Sequence, residues 1–238
     1  MAKTSNNGAI NGIVSKERVN NFGEVYTPDF IVNDMLDMVD AEMDKTDLWK
    51  YIDTTYMEPS CGNGQFLIRI LDRKIKAVNQ LPAEDREFGI VRAVCSIYGV
   101  DIQQDNVMNS KKRMKRLIYE GEADTFNPND KEIPEFTQLD CEISEPIKKV
   151  IHRVLDNNII FGNTLETSDD SKMLVKVIEY KFNPDGSGVV TAHKLTDMDG
   201  MYGKEHKFTK LACLASKSMN DFDKDEDDYA EDEGFGGF

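Results

Sequence analysis

Residues 56–66 read Tyr-Met-Glu-Pro-Ser-Cys-Gly-Asn-Gly-Gln-Phe, and they are followed by Leu67-Ile68-Arg69-Ile70-Leu71. Apolar residues lead into an acid and a proline, and then two glycines stand one residue apart. The apolar run after Gln65 suits the buried face of a helix. The pattern predicts a strand, a tight loop and a helix. Gly62 and Gly64 permit positive φ and carry no Cβ, so a ligand or neighbouring group can approach the loop closely. The helix that follows presents free N–H groups at its start.

Upstream, Gly23-Glu24-Val25-Tyr26-Thr27-Pro28 precedes a helical pattern. Thr27 suits an N-cap and Pro28 a first helical residue. The helix is expected to turn Ile31, Met35, Met38 and Val39 toward the core. Downstream, Leu81-Pro82-Ala83 marks a break, and residues 83–95 predict a helix with Phe88, Val91, Val94 and Cys95 inward. A short strand, Ile97-Tyr98-Gly99-Val100, ends in Asp101. A helix over about 103–119 places Val107, Met114, Leu117 and Ile118 inward. Its Lys111, Lys112, Arg113, Lys115 and Arg116 form a solvated basic face.

Residues 120–143 show no period and are expected to be a surface insertion. Ser144 then caps a helix with Ile147, Val150, Ile151, Val154 and Leu155 on one face. A third strand, Ile159-Ile160-Phe161, runs into Gly162-Asn163-Thr164-Leu165. From 173 to about 195, β-forming residues flank an Asn-Pro-Asp-Gly-Ser-Gly turn, which predicts a β-hairpin. The expected organisation is a flexible arm over 1–20, one α/β domain over 21–220 and an acidic tail over 221–238.

The chain has 238 residues and a formal net charge of −15. Nine acids against Lys224 put −8 of that in residues 221–238, and −7 remains for residues 1–220. An acidic body lacks the basic face that neutralises phosphates, so DNA is expected to be held weakly or through a partner. Four cysteines form no CxxC pair and three histidines stand isolated. No metal site is expected. No apolar run is long enough to span a bilayer, the N-terminus lacks the apolar core of a signal peptide, and the expected location is the cytoplasm.

The tail holds Phe222, Tyr229, Phe235 and Phe238 among dense negative charge, which predicts disorder. Asp221, Asp223 and Asp225 have the spacing of a calcium loop, but Glu226 replaces its glycine. The tail resembles the acidic, phenylalanine-ended tails of single-stranded-DNA-binding proteins. That resemblance implies a protein partner with Phe235 and Phe238 as anchors.

An acid ending a second strand, after a glycine loop ending a first, accepts hydrogen bonds from the ribose hydroxyls of a nucleotide-like ligand. Gly62-Asn63-Gly64 lacks the third glycine of the dinucleotide fingerprint, and Asp101 lies too far along the chain for it. Gly23-Glu24-Val25-Tyr26-Thr27-Pro28, Glu58-Pro59-Ser60-Cys61-Gly62-Asn63-Gly64, Gly99-Val100-Asp101 and Gly162-Asn163-Thr164-Leu165 occur in that order. Over roughly residues 18–166 the chain resembles the S-adenosylmethionine-binding half of amino-group DNA methyltransferases, adenine-N6 type, like the modification subunits of type I restriction systems. The resemblance implies a truncated Rossmann-like methyltransferase fold, followed here by the hairpin and tail. It implies that Thr27 contacts the methionine carboxylate and that Glu58 stands where the family has aspartate. The Gly62 and Gly64 backbone would pass the methionine part, Asp101 would take the ribose hydroxyls, Ile102 would pack on the adenine, and Asn163 would face the adenine edge.

The departure is equally specific. The family's catalytic tetrapeptide, Asp or Asn, Pro-Pro, then Tyr or Phe, is missing, because no Pro-Pro occurs in the chain. Asn183-Pro184 continues as Asp185-Gly186, which is turn chemistry. The expected function is cofactor binding without catalysis by the chain alone, exercised in a complex or as a regulatory protein. The alternatives are an adenine-N6 enzyme completed by a partner and a small-molecule methyltransferase.

Overall fold

The computed structural model describes residues 18–19, 24–124, 135–167, 172–183, 185, 187–195, 205–208 and 214. The acidic tail with Phe235 and Phe238, nearly all of the N-terminal arm and Gly23 lie outside them.

Among the described residues these helices and strands follow in order: α1 (Asp29–Ala41), α2 (Leu48–Asp53), β1 (Tyr56–Glu58), α3 (Gln65–Val78), α4 (Arg86–Cys95), β2 (Ile97–Asp101), α5 (Gln104–Glu120), α6 (Glu145–Asn158), β3 (Ile159–Phe161), β4 (Lys176–Phe182), β5 (Gly188–Lys194) and β6 (Glu205–Phe208). The fold is mixed α/β. β1, β2 and β3 form a parallel sheet with β2 in the centre, pairing Glu58 with Gly99 and Asp101 with Phe161. β4, β5 and β6 form a separate antiparallel sheet.

β2 is buried along its whole length and alternates between two covers. A Cβ on Gly99 would come within 2.8 Å of Leu67 in α3, so this side of the strand lies against the helix. Tyr98 points the other way and donates its hydroxyl to the Ile178 carbonyl in β4 at 2.7 Å. Helices thus cover the Gly99 side of β2, and the antiparallel sheet meets its Tyr98 side while packing on α4 and α6. α5 lies on β2 and β3, α3 on β1 and β2, and α1 on α3.

The strand-loop-helix at 56–78, the acid-ended second strand, the third strand and the hairpin stand where the sequence predicts them. Four expectations are corrected. Pro28, not Thr27, holds the N-cap position of α1, and no side chain caps it. Ile31, Met35, Met38 and Val39 are exposed, while Val32 and Leu36 are buried with Asp29 and Asp40. Residues 135–143 are a strap rather than a surface insertion. Phe136, Cys141 and Ile143 pack on the core, Leu139 is buried within it, and the Thr137 N–H donates to Asp72 at 2.7 Å. β6 extends the hairpin to three strands.

The rotation of α1 follows from charge. Arg69 of α3 is buried and donates from Nε and one terminal nitrogen to both carboxylate oxygens of Asp29, at 2.6 and 2.8 Å. The Phe136 ring of the strap lies 4.0 Å from the same guanidinium. Arg73, one turn on, donates to Asp40 at 2.6 Å and pairs with Asp37 at 2.7 Å. Lys74 closes the neighbouring α2 by donating to the carbonyls of Ile52 and Thr54 at 2.6 and 2.8 Å, which satisfies the last turn of that helix.

Removing one member of a buried pair strands the other charge. Asp29→Ala is expected to lower unfolding stability by about 3–5 kcal/mol, whereas Asp29→Leu with Arg69→Met together should cost far less. Urea denaturation of the single and double variants measures the difference, and equal losses in both would show that the pair's charge does not govern the site.

Candidate functional site

The carboxyl ends of β1, β2 and β3 lie side by side and bring the predicted residues together. Glu58 ends β1, Asp101 ends β2, and Asn163 follows β3 by two residues. The loop after β1 turns back through Gly62 at φ 51° and Gly64 at φ 87°, both in the left-handed region that glycine tolerates. The two glycines do different work. A Cβ on Gly62 would meet only the Tyr26 ring at 3.8 Å, an ordinary contact. A Cβ on Gly64 would lie 2.9 Å from the Ser110 Oγ and 3.2 Å from its Cα. Gly62 supplies a turn, and Gly64 also lets α5 approach.

Asp101 is the hub. One carboxylate oxygen accepts the Gly62 N–H at 2.8 Å. The other accepts the Gln103 N–H at 2.8 Å and Asn106 Nδ2 at 3.3 Å. The same side chain therefore fixes the loop after β1 and the start of α5. Ionised aspartate offers about four acceptor positions, and three are in use.

α5 grips the loop from below. Ser110 donates its hydroxyl to the Gly62 carbonyl at 3.0 Å. Arg113 donates to the Asn63 carbonyl at 2.6 Å and to the Gln65 side-chain oxygen at 2.8 Å. Arg113 is buried, and burial lowers its pKa to about 10. It belongs to the helix interior, not to the solvated basic face in which the sequence placed it. Its spacing from Ser110, Met114 and Leu117 carries the signal, since i, i+3, i+4 and i+7 share one helical face.

The segment before α1 closes one side. Arg18 ion-pairs with Glu24 at 2.5 Å and with Asp105, and Gln103 donates to Glu24 at 2.9 Å. Burial pushes the Glu24 pKa up, but hydrogen bonds from Arg18, Tyr26, Asn106 and Gln103 outweigh it and leave it lowered. Burial and the Glu24 carboxylate raise the Tyr26 phenol. Tyr26, rather than Thr27, is the residue of this stretch that sits on the glycine loop. Thr27 is half-buried just before α1.

Glu58 is half-buried, its carboxylate accepts only weakly from the Ser60 N–H at 3.4 Å, and burial raises its pKa. Burial, then the Asp101 charge, pushes the Cys61 thiol up to about 12, so it is no thiolate nucleophile at neutral pH. Ile102 is exposed beside Asp101. The Asn163 side-chain oxygen accepts the Leu165 N–H at 3.0 Å, which leaves its amide group to donate. Thr164 donates to the Pro59 carbonyl at 3.4 Å, so the loops after β1 and β3 touch across the end of β2. Among the described residues no group of His, Cys, Asp and Glu could hold a metal ion, and no helix is long and apolar enough to cross a membrane.

Comparison with protein-family models, curated proteins and solved structures finds no match to this chain.

The glycine geometry yields a graded outcome. Gly62→Ala meets only the backbone penalty and should cost about 1–2 kcal/mol of stability. Gly64→Ala adds the collision with Ser110, and the two terms together should reach about 2–4 kcal/mol. Chemical denaturation ranks the two variants, and equal costs would mean that α5 yields freely at Ser110.

Proposed function

We propose that the chain is an S-adenosylmethionine-binding protein of the DNA adenine-N6 methyltransferase class, with a reduced Rossmann-like methyltransferase fold, that acts with a partner and does not transfer the methyl group alone. The observation that carries this reading is the convergence of the Gly62-Asn63-Gly64 turn, Asp101 and Asn163 at one edge of three adjacent parallel strands. Open α/β sheets bind ligands at that edge.

The residues present fit such a ligand. Asp101 retains an acceptor position for one ribose hydroxyl, and release of the long Asn106 bond at 3.3 Å frees a second. The Asn163 amide can donate to a ring nitrogen of adenine. Ile102 offers an exposed apolar surface for a base, and the Tyr26 ring flanks the loop. Glu58 has no ion-pair partner among the described residues and suits the ammonium of a methionine moiety. A ligand lying between the loops parts the light Thr164–Pro59 contact. When bound, the cofactor supplies an activated methyl group. The chain's own residues hold it but present no paired carbonyl acceptors and aromatic platform to orient a target amine, so the second substrate is not positioned.

Calorimetry on the full chain is expected to show binding of S-adenosylmethionine, weakened by more than about tenfold in Asp101→Ala, the loss of a charge-assisted acceptor. A thermal melt of the same variant separates lost binding from lost folding. No binding by the natural chain, or equal binding by a folded Asp101→Ala chain, overturns the reading. A tritium-transfer assay with DNA should show no N6-methyladenine from the chain alone.

Binding also carries a pH signature. Glu58 attracts the ligand's ammonium only when ionised, so affinity should fall as pH drops through its raised pKa. Glu58→Gln should bind more weakly at neutral pH and show a flatter profile. Calorimetry across a pH series checks this, and identical profiles for the two proteins would remove Glu58 from the site.

A further inference from the structure

We propose that the open edge of β1 and the apolar stripe of α1 form one docking surface for a basic, strand-forming segment of a partner protein.

The helix layer and the sheet are out of step. α5 lies on β2 and β3, and α3 lies on β1 and β2, so each of these helices covers two strands. α1 packs on the far side of α3 and has no strand of the described residues beneath it. The residues that flank α1 meet the two ends of β1. At its start the Tyr26 ring meets the glycine loop that follows β1. Past its end Met43 Sδ accepts the hydroxyl of Tyr56, the first residue of β1, at 3.4 Å. α1 therefore overhangs the place where a further strand beside β1 would lie.

Both components of that place are unpartnered among the described residues. The Tyr56 N–H donates to the Ser96 carbonyl at 2.9 Å, which turns Tyr56 toward β2. Backbone groups alternate along a strand, so the Met57 N–H and carbonyl face the other edge. Ile31, Met35, Met38 and Val39 are 37%, 49%, 74% and 43% exposed. At about 100° per residue these four share one side of α1, bordered by Asp34 and away from Asp37. Asp37 marks the solvent side through its pair with Arg73, so the stripe turns toward the level of the sheet.

The charge pattern selects the occupant. α1 carries no Lys or Arg, and while Arg69 and Arg73 hold its Asp29, Asp37 and Asp40, Asp34 stands without an ion pair among the described residues. Glu42 continues the line of the stripe, and Glu58 ends the strand whose edge is open. A second copy would set acid against acid on a chain of net charge −15, and the acidic tail would be repelled in the same way. A basic segment with alternating apolar residues meets every requirement. Its backbone pairs with Met57, its apolar side fills the stripe, and its cations face the acids. The surface rests on the fold alone and holds whether or not the neighbouring site takes a nucleoside ligand. It borders that site, so its occupant would reach Glu58.

The test uses the full chain and three short peptides: alternating Val and Lys, alternating Val and Glu, and alternating Ala and Lys. Fluorescence anisotropy gives affinity, and amide hydrogen exchange at Met57 by NMR gives location. The Val–Lys peptide should bind about tenfold tighter than either control and slow exchange at Met57. Met35→Lys with Val39→Lys, both at exposed positions, should reduce that binding by about tenfold without changing the melting temperature. Deleting residues 221–238 should leave the binding at Met57 intact. Equal binding of the Val–Glu or Ala–Lys peptide, or binding that leaves Met57 exchange unchanged, overturns the proposal, as does no binding. A dimer in sedimentation that Met35→Lys dissolves would assign the surface to a second copy and overturn the basic partner.

Discussion

The buried bidentate pair between Arg69 and Asp29 is the constraint on which both proposed surfaces depend. It docks the first turn of α1 against α3 and sets how that helix is rotated. With Asp29 turned inward, Val32, Leu36 and Asp40 follow at helical spacing and meet α3. Two consequences come from the same rotation. The residues just before α1 are delivered to the glycine loop, where Tyr26 lies on Gly62. The stripe of Ile31, Met35, Met38 and Val39 is left exposed. Arg69 also stacks on Phe136 and neighbours Asp72, to which the strap donates. One guanidinium thus links three segments far apart in sequence. Such a group is costly to bury and more costly to strand, so its loss should propagate to the site without touching it.

This rotation was not legible in the sequence, and the reason is physical. Periodicity assigns the apolar stripe of α1 to the core because burying aspartate is ordinarily unfavourable. Asp29 and Asp40 are buried only because Arg69 and Arg73 stand a turn apart on the next helix, and that is tertiary information. Arg113 was hidden for a related reason. It lies within a run of cations, and its neighbours disguised a single inward position. The strap at 135–143 has no period because Phe136, Leu139, Cys141 and Ile143 reach the core from irregular backbone. By contrast, the turn at Gly62 and Gly64, the acid ending β2 and the third strand were legible. Each is set by a few adjacent residues: a glycine that must take positive φ, an apolar run that stops at a carboxylate, a turn after Phe161. The candidate site was therefore readable in its strand ends and unreadable in its supports. Ser110, Arg113 and the Arg18–Glu24–Gln103 contacts come from elsewhere in the chain.

Under the proposed function, Asp101 would combine support and binding in one group. Its three accepted hydrogen bonds hold the glycine loop against the start of α5 before any ligand arrives. A carboxylate oriented in this way loses little side-chain freedom on binding, which favours affinity. The same engagement limits it, because only one acceptor position stands open until Asn106 lets go. Under the proposed function, a ligand offering two donors in sequence would suit this carboxylate, one to the free position and one in exchange for the weak Asn106 bond. Adjacent ribose hydroxyls have that character.

The electrostatics set the terms on which nucleic acid could be engaged under the proposed function. The cations of α5 are the densest in the chain, yet most are spent internally. Lys111 pairs with Asp156, Arg113 is buried under the glycine loop, and Arg116 is surrounded by Glu120, Glu122 and Asp124. Lys112 and Lys115 remain without an ion pair among the described residues. One exposed and one half-buried lysine neutralise few phosphates, and affinity for a polyanion scales with that number. The acids on α1 and the acid at the end of β1 repel the same polyanion from the side where the site opens. A basic partner seated along β1 would reverse that sign beside Glu58 and bring its own cations to the rim of the site. The charge deficit of this chain and the open edge of its sheet would then be corrected by one binding event.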